Sequence, residues 1–369
     1  MNYLKGIGLA LGLLFSTVTL AASVTDLAGR QVTLPAKVGR IILGEGRMLT
    51  SLAILEKQQL PQRVVGMLGD FEQLDPAGYA QYRQRFPALA KVVRLGKTSA
   101  ATFSVEQAIA LKPDLAIFSL GGHGPDVNDH ATLKRLQNAG ITVIYVDFTR
   151  DPLLHTVRSI EVLGQALDRK QEAAEFIAFY RAEMDKVRQR LKLTRRQPTV
   201  FLESRVGLSR ECCETITHGM IGRLLDAAGG HNIAGELVPG IHGTVNLEFL
   251  LKTQPEVYIG TAIGNPASVA GGVPTIALGS GIDAATARAS LRKVLNRPGF
   301  PQLKAVAGKR AFAIWHHYNY SAQNIIGLQA MAKWLYPQEM ADLQPEDTLR
   351  RFYQRFQPVA LNGTYWTQL

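Results

Sequence analysis

Two stretches of the chain read alike. Residues 102–118 are TFSVEQAIALKPDLAIF, and residues 244–260 are TVNLEFLLKTQPEVYIG. Each begins with a polar residue suited to capping a helix, Ser104 or Asn246, and then places an acid, Glu106 or Glu248, in the positive first turn. A proline follows each acid by seven residues, an acid follows the proline, and an apolar strand begins. One helix–turn–strand unit therefore occurs in each half of the chain, which predicts two lobes built alike. An acid in a first turn ordinarily does no more than offset the helix dipole, worth ~0.3–1 kcal/mol. Two such acids at equivalent places can also present matched carboxylates to basic groups on a partner.

Working outward from the repeat, short apolar runs at 40–43, 64–67, 115–118 and 143–146 alternate with helical-period segments at 48–57, 105–111 and 131–138. The alternation returns with strand-like runs at 199–202, 257–260 and 310–314 and helical segments at 220–228, 247–253 and 325–335. Strands alternating with helices indicate parallel sheets covered on both faces, an α/β fold. Between the halves the apolar positions Ala174, Ile177, Ala178, Met184, Val187 and Leu191 keep a helical period that Pro198 terminates. Asp168 and Gln171 have capping-box spacing, so the sequence predicts a rod of about 24 residues, roughly 36 Å, as a stiff spine. The resulting division is 1–22, a leader; 23–150, an N-terminal lobe; 151–197, the helical spine; and 198–369, a C-terminal lobe.

The chain has 369 residues, 46% apolar and 19% charged, which suits a core-burying protein and excludes disordered, collagenous and disulfide-scaffold classes. Met1–Lys5 carries one positive charge, Ile7–Phe15 is apolar, and small residues follow at Ala21 and Ala22, the layout of a secretory signal peptide. No cysteine stands there to carry a lipid. Removing residues 1–22 takes away only Lys5, leaving 40 basic against 30 acidic side chains, a charge of +10. That balance suits an anionic partner, and export makes nucleic acid an unfitting one. The two cysteines, Cys212 and Cys213, are adjacent; they allow a strained vicinal bridge or a dithiol and do not match zinc spacings. Gly96-Lys97-Thr98 lacks the earlier phosphate-loop glycine, having Lys91 there, and Gly44-x-Gly46 has Leu49 where a dinucleotide fingerprint needs its third glycine. With no H-E-x-x-H and no G-x-S-x-G either, the sequence predicts a protein without a catalytic cycle.

Taken in order, several pieces resemble the periplasmic substrate-binding proteins of ferric siderophore, haem and cobalamin importers. They are Asp26-x-x-Gly29-Arg30 with Val32-Thr33-Leu34-Pro35, then Arg40-Ile41-Ile42, Glu106-x₅-Lys112-Pro113-Asp114-Leu115, Ala228-Gly229-Gly230-x-Asn232-Ile233, and Glu248-x₆-Pro255. The resemblance implies two Rossmann-like lobes joined by a long rigid helix, a ligand in the cleft between them, and a monomer working in the periplasm. It also implies docking onto an ABC permease through one acid per lobe, and Glu106 and Glu248 stand at those places.

For the ligand it implies a ferric siderophore, with iron entering only as part of the chelate and no intrinsic cofactor; haem and cobalamin are the alternatives within the family, and a receptor-binding or sensory protein is the alternative outside it. Arg47 and Arg205 are the choices for recognising an anionic chelate. Trp315, His317, Tyr318 and Tyr320 fall in one short cluster after a strand, where rings can wall the ligand, or Tyr and His can complete iron coordination. Whether protein atoms touch a metal is left open. Other loops that should border the cleft are Gly44–Arg47, Leu68–Asp70, Gly121–His123, Glu203–Arg205 and Arg210, with His123 and His130 read as surface residues.

Overall fold

The computed structural model describes residues 22–208 and 212–369. The expected leader, all but Ala22, and Arg210 lie outside the described residues. A hairpin of β1 (Ser23–Thr25) and β2 (Gln31–Thr33) opens the fold. The Asp26 carboxylate explains its motif: it accepts from the backbone of Ala28, Arg30 and Tyr145 and from the Arg30 guanidinium, fastening the hairpin to the first lobe.

That lobe is a five-stranded parallel sheet of β3 (Ile41–Leu43), β4 (Val64–Met67), β5 (Val93–Arg94), β6 (Leu115–Ser119) and β7 (Thr142–Val146), in the order β5-β4-β3-β6-β7. β3 and β6 are completely buried, as expected for strands covered on both faces. The second lobe is a seven-stranded sheet of β8 (Thr199–Glu203), β9 (Glu214–Ile216), β10 (His231–Asn232), β11 (His242–Thr244), β12 (Val257–Ala262), β13 (Ala311–Trp315) and β14 (Trp366–Gln368). β8, β12 and β13 are its parallel centre, while β9 and β14 run antiparallel to it at the flanks and β11 pairs antiparallel with β9.

The repeat folds as one unit in both lobes. Ser104 caps the helix Val105–Ala110 through the Gln107 N–H, and Asn246 caps Leu247–Thr253 through the Phe249 N–H. Each helix is followed by a residue in the left-handed region, Lys112 (φ 46°) or Gln254 (φ 52°), then proline and the central strand. Left-handed closure of a helix usually falls to glycine; here two side-chain-bearing residues do it at equivalent places.

The expected rod forms as one helix, preceded by a second helix, but without its predicted cap. Pro152–Ala166 ends at Leu167, the chain turns through Asp168 (φ 55°), and Lys170–Leu191 follows. Arg169, not Asp168, precedes the long helix, and no side chain caps it. Asp168 is taken up by the left-handed turn that reverses the chain, so the predicted capping box does not form. Lys170–Leu191 has 22 residues, about 33 Å, and buries Phe176, Phe179, Tyr180 and Met184. Phe176 and Phe179 pack on Phe356 of the C-terminal half at 5.4 and 5.2 Å, and Tyr180 donates to the Asn324 amide oxygen at 2.8 Å. No helix among the described residues is long and apolar enough to cross a membrane.

Candidate functional site

Three turns at the carboxyl ends of β3, β4 and β6 meet two from the ends of β8 and β13. Ligands of open parallel sheets are bound in this position because the loops there diverge and leave a crevice. From the first lobe come Glu45 and Arg47, Asp70, and Gly121–His123. Arg47 is 4% exposed, and its Nε donates to Asp70 Oδ2 at 2.8 Å while an Nη donates to Glu45 Oε1 at 3.2 Å. Burial opposes its charge, but the two carboxylates outweigh that and hold the guanidinium above its ordinary pKa. Burial also pushes Glu45 up to about 7, against the pull of Arg47. The Gly121–His123 loop closes over Glu45 through the His123 N–H, 3.1 Å from Oε1. A β-carbon at Gly122 would come within 2.3 Å of the Glu45 carboxylate, so this approach requires glycine.

From the second lobe, Arg205 follows β8 in a left-handed conformation (φ 45°). Its N–H donates to Thr261 Oγ1 at 2.7 Å, and its guanidinium pairs with Glu214. Thr261 lies 3.0 Å from His316 Nδ1, and the Asn319 amide nitrogen approaches the same atom at 3.4 Å. Two donors converging on Nδ1 make it the acceptor and leave the ring proton on Nε2. Burial, then the charges of Arg47 and Arg205, drive His316 down to about 3, so it is neutral. Arg47 acts on it from the first lobe and Arg205 from the second.

The lobes touch at Arg47. Its guanidinium carbon stands 3.6 Å above the Tyr320 ring, and an Nη lies 3.3 Å from His317 Nδ1. Behind these groups Arg47, Phe71, Asp75, Trp315 and His317 enclose a cavity of about 10 Å³, room for one water at most. Arg47, Trp315 and His317 thus form a closed floor. Tyr318 departs from the expected ligand wall: it is fully buried and packs on Trp315 and Tyr365, because the short helical turn His316–Tyr320 alternates its rings between core and crevice. Arg205, Tyr320 and His123 are partly exposed at the mouth, as is Glu214, which pairs with Arg205.

His123, read from sequence as a surface residue, lies with its ring 5.7 Å from that of Tyr320, edge to face. Its Nδ1 is 2.7 Å from the Thr98 carbonyl oxygen, so Nδ1 carries the proton and Nε2 presents a lone pair. Burial and Arg47 lower its pKa and keep it neutral. His242, at the start of β11, is lowered in the same way by burial and Arg205. Glu45, Asp70 and His316 fall in the stretches expected at the cleft without being chosen as binding groups, and Thr261 lies outside them. Their one sequence signal is position directly after, or at the end of, an apolar strand.

Cys212 and Cys213 are joined to each other. With Glu203 they are a group of potential metal ligands among the described residues, but both Glu203 oxygens already accept from Arg297, at 2.8 and 2.7 Å, and Oε2 also accepts from Tyr258. Glu106 and Glu248 are exposed on the first turns of the repeat helices. Arg135 donates to Glu106 at 2.6 Å and holds its carboxyl below the ordinary range.

This fold has known counterparts. The periplasmic FepB protein of Veillonella parvula, described as TroA-like, superposes with a TM-score of 0.83 at 25% identity, covering 94% of this chain and 99% of that one. The molybdate-binding protein MolA of Haemophilus influenzae is 21% identical over 359 residues, 90% of each chain. Its molybdate-bound structure gives a TM-score of 0.67 over 93% of this chain and 99% of its own. A periplasmic heme-binding protein of Pseudomonas aeruginosa matches at 0.55 and 19% identity, over 82% and 94%. The sequence profile of the periplasmic binding proteins matches residues 76–315, and with both lobes and their crevice in place the chain belongs to that family, whose members serve ABC importers.

Proposed function

We propose that the chain captures a ferric siderophore in the interlobe crevice and delivers it to an inner-membrane permease. The observation that carries this reading is that both lobes bring partly exposed groups to the mouth, among them the Arg205 cation, the Tyr320 phenol and the neutral His123 imidazole with a free lone pair. Arg205 recognises the negative charge of the chelate, and the Tyr320 ring offers a stacking face. Imidazole and phenol are also groups that iron accepts, so His123 Nε2 and Tyr320 Oη suit a chelator that leaves coordination positions open. Arg47 acts from the floor, fixing Tyr320 beneath the ligand.

A second reading is an oxyanion, favoured by the likeness to MolA along 90% of the chain. It would use Arg205 and the His316 N–H and leave the aromatic face idle. Titration of tryptophan fluorescence with ferric catecholate, hydroxamate and citrate chelates, the metal-free chelators, haem, cobalamin and molybdate separates these readings. Saturation by one ferric chelate is expected. Saturation by molybdate alone would replace the chelate, and saturation by haem alone would turn attention to axial ligands.

Docking is proposed to use Glu106 and Glu248, which can pair with permease arginines. Reversing both to lysine is expected to abolish uptake while leaving ligand affinity near wild type. Unchanged uptake in that double variant would remove the docking role.

A further inference from the structure

We infer that the C-terminal lobe carries a second ligand site, separate from the crevice, for small aromatic polycarboxylates. A cavity of about 800 Å³ lies where β14 meets the helix Ala284–Leu295. That volume is in the usual range for a small-molecule site. Four cations border it, Arg288, Lys309, Arg310 and Lys333, against one carboxylate, Glu346, which accepts from the Trp366 indole at 3.2 Å.

The cations are not neutralised from within. Arg310 donates to the Trp334 carbonyl at 3.1 Å, and Lys333 to the Leu343 carbonyl at 2.6 Å, both uncharged acceptors. Burial and the neighbouring Arg196 make the Arg310 charge costly, only partly offset by Glu256, and an incoming anion would relieve that cost. Arg288 and Lys309 are exposed and form no ion pair among the described residues. Three of the other lining residues are aromatic: Phe312 and Trp334 stack at 4.7 Å with planes 10° apart, and Trp366 stands on the adjacent strand.

A ligand that uses both features carries several negative charges on a flat apolar body. An inorganic anion would leave the rings unused, and a neutral arene would leave the cations unpaired. The location is independent of the crevice. Lys309 and Arg310 precede β13, whereas His316–Tyr320 follow it, so the two sites stand at opposite ends of one strand.

Calorimetric titration of the purified protein with benzene-1,3,5-tricarboxylate tests this. Saturable binding is expected, about tenfold weaker in Arg288→Glu/Lys309→Glu, a loss of ~1.4 kcal/mol, and several-fold weaker for cyclohexane-1,3,5-tricarboxylate. Both substituted side chains are exposed, and an unchanged thermal midpoint will show that the variant folds. Arg205→Ala is expected to leave this binding intact while weakening the ferric chelate, so failure here is distinguishable from failure of the crevice reading. Absence of saturation, equal binding of the saturated ring, indifference to the double reversal, or loss in Arg205→Ala would each overturn the second site.

Discussion

Arg47 and Arg205 are the same residue type on the same crevice, yet their surroundings give them different work. Arg47 is sealed between Glu45, Asp70 and Tyr320. Removing it leaves two carboxylates buried without their cation, and breaking a buried pair in this way typically costs ~3–5 kcal/mol. Arg205→Ala breaks a half-exposed pair with Glu214, for which ~1 kcal/mol or less is usual. Urea unfolding should therefore show a large loss for Arg47→Ala and a small one for Arg205→Ala, while chelate affinity falls by about tenfold or more in Arg205→Ala, the loss of a charge-assisted contact. Similar stability losses in both would mean that Arg205 is structural. Glu45 adds a pH dependence. Its folded pKa, about 7, lies above the unfolded carboxylate value, so the folded state binds the extra proton between about pH 4.5 and 7. Stability should then fall as pH rises through that window, and Glu45→Gln should flatten the slope by roughly 3 kcal/mol at most. A slope unchanged in Glu45→Gln would assign the titration to another group.

Among the elements, the repeat helices end on left-handed residues whose side chains differ in what they do. Lys112 is exposed, and its side chain makes no hydrogen bond among the described residues. Gln254 donates to the Leu251 carbonyl at 2.9 Å and accepts from the Lys304 N–H at 2.8 Å, so it ties its helix end to the next. Lys112→Gly relieves left-handed strain at the cost of unfolded-chain entropy, for a net change between zero and about +1 kcal/mol of stability. Gln254→Gly loses two side-chain bonds and should destabilise by about 1 kcal/mol. Thermal melts that move both variants the same way would contradict this. The repeat was legible because capping, first-turn charge and proline punctuation are local. The seven principal strands and the helices that begin near 48, 105, 131, 220, 247 and 325 were legible for the same reason, whereas Pro76–Arg85, Ala284–Leu295 and Pro345–Phe356 were not picked out. β9, β10, β11 and β14 have two or three residues each and exist through partners distant in sequence, so no period announces them. The spine's length and its start near Asp168 were legible, but the role of Asp168 was not, since a residue taking a left-handed turn has the same identity as one capping a helix. In the crevice, Arg47, Arg205 and Tyr320 could be picked out as charge and ring after strands. The tautomer of His123 and the burial of Tyr318 depend on Thr98 and Tyr365, which only the folded chain brings near.

At the scale of the whole molecule, the two lobes are joined by more than the spine. Ser51 Oγ in the first lobe accepts the Ala322 N–H at 3.0 Å, and Gln357 donates to the Thr50 carbonyl at 3.1 Å. Asn324 both accepts from Tyr180 of the spine and donates to Thr156 at 2.8 Å. Arg47 bridges to His317 and Tyr320 above them. Ser51, Asn324 and Arg47 are buried, and leaving one such buried polar group unpaired costs ~1–3 kcal/mol. A wide hinge opening would break several together, which the binding free energy of a small ligand would have to restore. Ligand capture should therefore proceed by small rotations of the Gly121–His123 and Arg205 turns, with the lobes nearly fixed. Small-angle scattering with and without saturating ferric chelate should give superimposable profiles. A contraction resolvable in the radius of gyration would show that these contacts part in solution and that the lobes move as independent bodies about the turn at Asp168.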